Sequence, residues 1–286
     1  MSSTLPRSRA AMISAAFAAG FGALAAAPAA AQWSASAGFE TTSGKYGKPE
    51  RTDETLFPVS VAYRQGPWRF RAGAPLVKRV EGTAIAAAQD GEIEEPDPGE
   101  QPEPGAGPIT SSQSQTGPSD LHLSAFYALW DAGVARPGLN VGVRVKTPLS
   151  SKDKCLITNG ATDTSLEARA HQTYGAIEPF VALGWTKRGD PDRRDENCVA
   201  TGGTIDLKNP FYLRAGVSLP LSAAVALDVE YEYRQKIRSG GDPKSEIKAG
   251  ASWRMNKQFE LVGYGIVGFS DASPDRGIGA YVVYRF

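Results

Sequence analysis

The last ten residues, GIGAYVVYRF, constrain this chain more than any other stretch. Ile278, Ala280, Val282, Tyr284 and Phe286 share one parity; Gly279, Tyr281, Val283 and Arg285 share the other. Successive side chains of a strand point to opposite faces, so the pattern predicts a closing strand with one strongly apolar face. A strand of this kind at the end of a chain needs a first strand to pair with and an apolar surrounding for its outer face. A sheet closed into a barrel within a lipid bilayer supplies both.

The other end carries an export address. Arg7 and Arg9 precede an Ala-rich apolar run, Ala10 to Ala27. Pro28 ends the run, and Ala29-Ala30-Ala31 fits a small-residue cleavage site, so residues 1–31 are expected to be a signal peptide and 32–286 the mature chain. The chain has 31 basic and 31 acidic residues, and the leader holds two arginines and no acid, which leaves 29 against 31. That balance offers nothing to nucleic acid. Two cysteines, Cys155 and Cys198, are an even count for an exported protein, and one disulfide between them is expected.

Period-two alternation recurs along the mature chain. Trp33, Ala35, Ala37 and Phe39 alternate with polar or small residues. Trp68, Phe70 and Ala72 alternate with Arg69, Arg71 and Gly73 after a Gln65-Gly66-Pro67 turn. Val225, Leu227, Val229, Tyr231 and Tyr233 alternate with Asp228, Glu230, Glu232 and Arg234. About twelve such strands are legible, with short and long connections in alternation. Parity is ambiguous only around Pro179-Phe180 and from Phe259 to Phe269. Residues 82–118 break the pattern with acids and prolines and no Lys or Arg, which predicts a disordered loop on the outer side.

Alternation alone also fits a soluble barrel with its apolar face inward. Trp33, Trp68, Trp130 and Trp253 near one rim and Trp185 near the other favour an aromatic girdle instead. The fold class expected is therefore all-β: an up-and-down antiparallel transmembrane barrel in the outer membrane of a Gram-negative bacterium. Ile278, Ala280, Val282, Tyr284 and Phe286 then resemble the C-terminal insertion signal of such barrels, read by their assembly machinery.

If the apolar parity meets lipid, the other lines the lumen. A basic wall is expected from Arg69, Arg71, Arg144, Lys146, Arg169 and Arg214, and an acidic one from Asp228, Glu230, Glu232 and Glu246. Such walls set a transverse field that orients charged solutes. The alternative is that these groups pair and fill the bore. No cofactor or metal is expected. His122 and His171 are the only histidines, both on the lumen parity, and no hydrolase or nucleotide motif accompanies them. An outer-membrane lipid hydrolase is therefore disfavoured. A structural or surface-interaction barrel is a further alternative, with Lys187, Arg188, Arg193 and Arg194 placed to meet lipopolysaccharide phosphates.

Short motifs add a resemblance. Ser119-Asp120-Leu121 opens a strand, Lys146-Thr147-Pro148 ends one, and Gly184-Trp185 precedes Arg188-Gly189-Asp190. Ser273-Pro274-Asp275-Arg276-Gly277-Ile278-Gly279 leads into the last strand. Over residues 119–286 this resembles the phenol meta-degradation pathway family of outer-membrane proteins. The resemblance implies a barrel and passage of small, including aromatic, molecules.

Overall fold

The structure is a computed structural model describing residues 32–47, 51–82, 113–133, 136–151, 154–194, 198–238 and 241–286. The expected signal peptide lies outside these residues, as does most of the acidic Pro-rich segment. The strands are β1 (Gln32–Gly44), β2 (Thr52–Gln65), β3 (Trp68–Gly82), β4 (Gln113–Gly117), β5 (Asp120–Trp130), β6 (Gly138–Pro148), β7 (Asp163–His171) and β8 (Glu178–Lys187). They continue with β9 (Asp192–Arg194), β10 (Ala200–Thr204), β11 (Phe211–Pro220), β12 (Val225–Arg234), β13 (Lys244–Arg254), β14 (Phe259–Gly268) and β15 (Arg276–Arg285). No helix occurs among the described residues.

The main sheet has thirteen strands, and all but β4 form a closed ring of twelve, β2 pairing with β3 and β1 with β15. Every pairing in the ring is antiparallel. The closing strand meets the first from Ser34↔Arg285 to Ser43↔Arg276, ten paired positions that leave no edge open. A ten-residue strand tilted as in such barrels rises about 25 Å, the height of a bilayer's apolar band. One rim carries the short turns and both ends of the ring; the other carries the long loops.

The barrel is inside out relative to a soluble one. Leu166, Leu183, Phe57 and Ile278 are exposed on its outer face, while Glu167, Arg169, Arg214, Glu230 and Glu246 are buried within. An apolar surface extending around the whole wall far exceeds what a soluble monomer tolerates. Lipid is the environment that satisfies both faces.

Register explains the interior. Each inward aromatic side chain of the ring stands directly opposite a glycine on a neighbouring strand: Phe126↔Gly142, Tyr212↔Gly184, Phe180↔Gly216, Tyr264↔Gly279 and Tyr281↔Gly38. A Cβ on Gly184 or Gly279 would overlap the Tyr212 or Tyr264 ring, and one on Gly216 would come within 2.6 Å of Phe180. The missing side chain lets each ring lie against the wall rather than project across the bore. A bulge between Phe57 and Pro58 against β3 resets the parity of β3, so Leu76 and Val77 both face outward and Lys78 and Val80 turn inward. On β14 the ambiguous parity resolves with Glu260, Val262 and Ile266 inward and Leu261 and Val267 outward.

The long loops make a second layer. Cys155 and Cys198 are disulfide-bonded, with Cα atoms 5.4 Å apart. Cys155, Leu156 and Ile157 are buried. Gln115 of β4 docks here, donating to Cys198 Sγ at 3.2 Å and accepting from Leu156 N at 3.1 Å. This corrects the reading of 82–118 as wholly disordered: its last part, β4, pairs with Lys78–Gly82 of β3. The hydrogen bonds of Gln115 to Cys198 and Leu156 give that short strand a partner which its own composition does not suggest. Denatured, unreduced protein is therefore expected to present no free thiol to an alkylating reagent. Reduction should loosen the loop layer but leave the barrel's gel mobility unchanged, because the ring closes without it. Two labelled thiols before reduction would contradict the bond.

Candidate functional site

The inward faces of the twelve strands define the lumen. Its centre is Glu167 on β7, which accepts Arg144 Nη2 at 3.0 Å, Arg214 Nη2 at 2.7 Å and the Tyr212 hydroxyl at 2.9 Å. Arg214 reaches on to Glu230 at 3.6 Å. Only 2% of the Glu167 side chain is exposed. Two guanidinium groups and a phenol hold it as a carboxylate: charge-assisted bonds offset the cost of burying it.

Toward the loop rim, Lys146 bonds Asp163 at 3.0 Å, Asn159 at 3.3 Å and Asp120 at 3.5 Å, and Arg188 adds a 3.4 Å contact to Asp163. Thr158 donates to Asp120 at 2.5 Å, so the β6–β7 loop folds over this side of the mouth. Across the bore, Lys244 pairs with Glu232 at 3.3 Å and Glu246 at 3.0 Å, and Lys248 with Glu246 at 3.4 Å. A polar cavity of about 130 Å³ opens beside them, lined by Glu40, Tyr46, Glu54, Lys244, Glu246 and Lys248. Tyr46, in the β1–β2 loop, holds a left-handed backbone with φ 48°. Burial, reinforced by the nearby Glu54 carboxylate, pushes its hydroxyl above the usual tyrosine range.

Both sets of residues expected to line the walls are on strands of the ring. Arg69, Arg169 and Arg214 are buried on the inner face, with Asp228, Glu230 and Glu246; Arg71, Arg144, Lys146 and Glu232 are half-buried. The walls are not of single sign. Glu167 and Asp163 sit within the basic arc, and Lys244 and Lys248 within the acidic one. Glu167 was legible as an inward residue, but its role depends on register: Arg144 is on the strand before it and Arg214 lies two strands beyond.

The filling is one-sided. On β7, β8, β11 and β12, Glu167, Arg169, Ala182, Arg214 and Glu230 are buried, Ala182 completely. On β1, β2, β3 and β5, the small residues Ser36, Gly38, Ser60, Ala62, Gly73 and Ser124 remain half-buried. The more exposed small inward residues thus lie on this arc, beside the buried Arg69 and Phe126. Arg71 lies along the arc, donating to Ser60 Oγ at 3.1 Å and 2.9 Å. A larger concavity of about 440 Å³ opens on the outer apolar face, lined by Trp33, Val61, Tyr63 and Phe70 and touching Arg71 and Ser124. Among the described residues, no three metal-ligating side chains converge.

The fold and this lumen define a class: a closed twelve-stranded antiparallel barrel of outer-membrane type. No protein-family model matches the chain, and no curated protein matches it in sequence. Among solved structures, it is similar to the COG4313 outer membrane channel from Pseudomonas putida F1, at a TM-score of 0.65 and 12% identity, covering 92% of this chain and 97% of that one. It is also similar to the KdgM porin in complex with disordered oligogalacturonate, at 0.48 and 7%, covering 88% and 99%. A third is the CymD monoaromatic hydrocarbon channel, at 0.40 and 10%, covering 89% and 87%. The first superposition extends over nearly the whole of both chains and supports the shared architecture.

Proposed function

We propose that this protein is a passive channel of a Gram-negative outer membrane, conducting small polar or anionic solutes along an off-centre bore. The observation that carries the reading is the half-buried arc of Ser36, Ser60, Gly73 and Ser124, an inner wall of small residues left open beside a filled one. The shared architecture with the COG4313 outer membrane channel supports it. Rings laid against glycines keep the remaining width. Arg71 and Arg144 along the path favour anions. The apolar outer face would meet lipid, the loop rim lipopolysaccharide, and the closing strand the barrel-assembly machinery.

Planar-bilayer recording of the refolded mature chain tests this. Wild type should conduct, and Ser124→Trp should cut single-channel conductance severely by filling the open arc. Ser218→Thr, on the filled side, should leave it nearly unchanged. A wild type that folds and inserts but passes no ion would favour the non-conducting, structural reading, for which the tightly paired Glu167 cluster is the supporting observation.

A further inference from the structure

Toward the turn end of the lumen, one fully buried arginine has unused donors. Arg169 on β7 is 2% exposed, and neither its Nε nor its Nη1 has a hydrogen-bond partner among the described residues. Its guanidinium instead lies 3.8 Å from the centre of the Phe180 ring. The carboxylates of Glu167, Glu178 and Glu230 are near enough to act on it electrostatically, yet none accepts from those two nitrogens. A buried guanidinium with unused donors is costly, and a ring face satisfies its charge but not its N–H groups.

Arg169 does not stand alone. Arg69, Arg64, Arg285 and Arg254 repel one another in series near the same rim, on β3, β2, β15 and β13, with other strands between some of them. Arg64 and Arg69 stand directly opposite each other in the β2–β3 register, where like charges are unfavourable. Glu260 answers Arg285 at 2.7 Å and Arg254 at 3.9 Å, and Asp131 and Glu178 act on Arg69. The series is thus only partly compensated by carboxylates, and Arg169 has two donors unused.

We propose that this end of the lumen is a carboxylate-binding gate, in which Arg169 leaves Phe180 to grip the carboxylate of a small aromatic solute. A carboxylate offers the planar guanidinium two parallel charge-assisted bonds, which a ring cannot. The Phe180 face, freed as Arg169 turns away, stacks the solute's own ring. A solute with no carboxylate has no means of drawing Arg169 off its ring, so the gate selects by charge and then by flatness. The ligand must favour the open arrangement over the closed one, and only the carboxylate bonds do so.

This inference rests on the channel reading, and the test separates the two. Equilibrium binding of benzoate, acetate, inorganic phosphate and benzyl alcohol is measured on the refolded, disulfide-intact mature barrel in detergent, and chloride current in bilayers is measured on the same preparation. Benzoate should bind saturably and interrupt the current; benzyl alcohol should do neither. Arg169→Gln should weaken benzoate by about tenfold or more, as expected for the loss of hydrogen bonds to a charged group. Arg169→Lys should recover part of that loss. Phe180→Leu should keep carboxylate binding but lose the preference for benzoate over acetate. Benzoate affinity unchanged in both Arg169 variants would overturn the gate, as would phosphate binding as well as benzoate. Binding that depends on Arg169 in a barrel that passes no current would uphold the site and defeat the channel; current without such binding would do the reverse.

Discussion

Replacing Glu167 by Gln is expected to destabilise the barrel by about 3–5 kcal/mol, the range for removing one member of a buried ionic cluster. The carboxylate receives Arg144, Arg214 and Tyr212, and its side chain is 2% exposed. Gln keeps the size and one acceptor but cannot neutralise two guanidinium groups, of which Arg214 is 7% exposed and Arg144 26%. Arg214 retains only the longer 3.6 Å contact to Glu230. The measurement is the denaturant midpoint of heat-modifiable gel mobility, with Glu81→Gln as the comparison. Glu81 pairs with Arg79 at the surface, both about half exposed, and its loss should cost no more than about 1 kcal/mol. Equal midpoints for the two variants would show that the central cluster contributes nothing beyond a surface pair. A folded Glu167→Gln barrel should also shift its reversal potential toward anions, because the lumen gains net positive charge.

The legible part of this fold follows from one physical fact. In a membrane barrel the two parities of a strand meet different solvents, so alternation reports inward and outward directly. Arg69 against Phe70, or Glu230 against Val229, could be assigned from composition alone. The reading failed or stalled where that contrast is absent. Val262 and Ile266 face inward although apolar, so β14 has two apolar faces, and only Glu260 breaks the tie. The bulge in β3 puts Leu76 and Val77 on the same face, which period two cannot express. The charge pairs and the ring-on-glycine contacts were invisible for a different reason. They depend on which residue stands beside which across strands, and register is fixed by turn geometry and ring closure together. Arg169 was legible as an inward arginine, but its place over Phe180 was not.

The outer face can be tested with one substitution whose effect depends on what surrounds it. Leu183 lies mid-strand on β8, 62% exposed, between Ala168 and Leu213 on the neighbouring strands. In water, Leu183→Arg would be a surface change worth within about 0.5 kcal/mol, and it would relieve an apolar patch. In a bilayer the same arginine faces hydrocarbon near the midplane, where the cost is about 2–4 kcal/mol. The two surroundings therefore predict opposite practical results: improved solubility of an unchanged fold, or impaired insertion. We expect a marked loss of folded, heat-modifiable protein in lipid vesicles. Ser124→Arg supplies the control for parity. It adds the same side chain to the open inner arc, where water is available, so it should assemble and act on conductance instead. If Leu183→Arg inserted as well as wild type while Ser124→Arg failed, the inward and outward faces would be interchanged and the lumen described above could not be the conducting path.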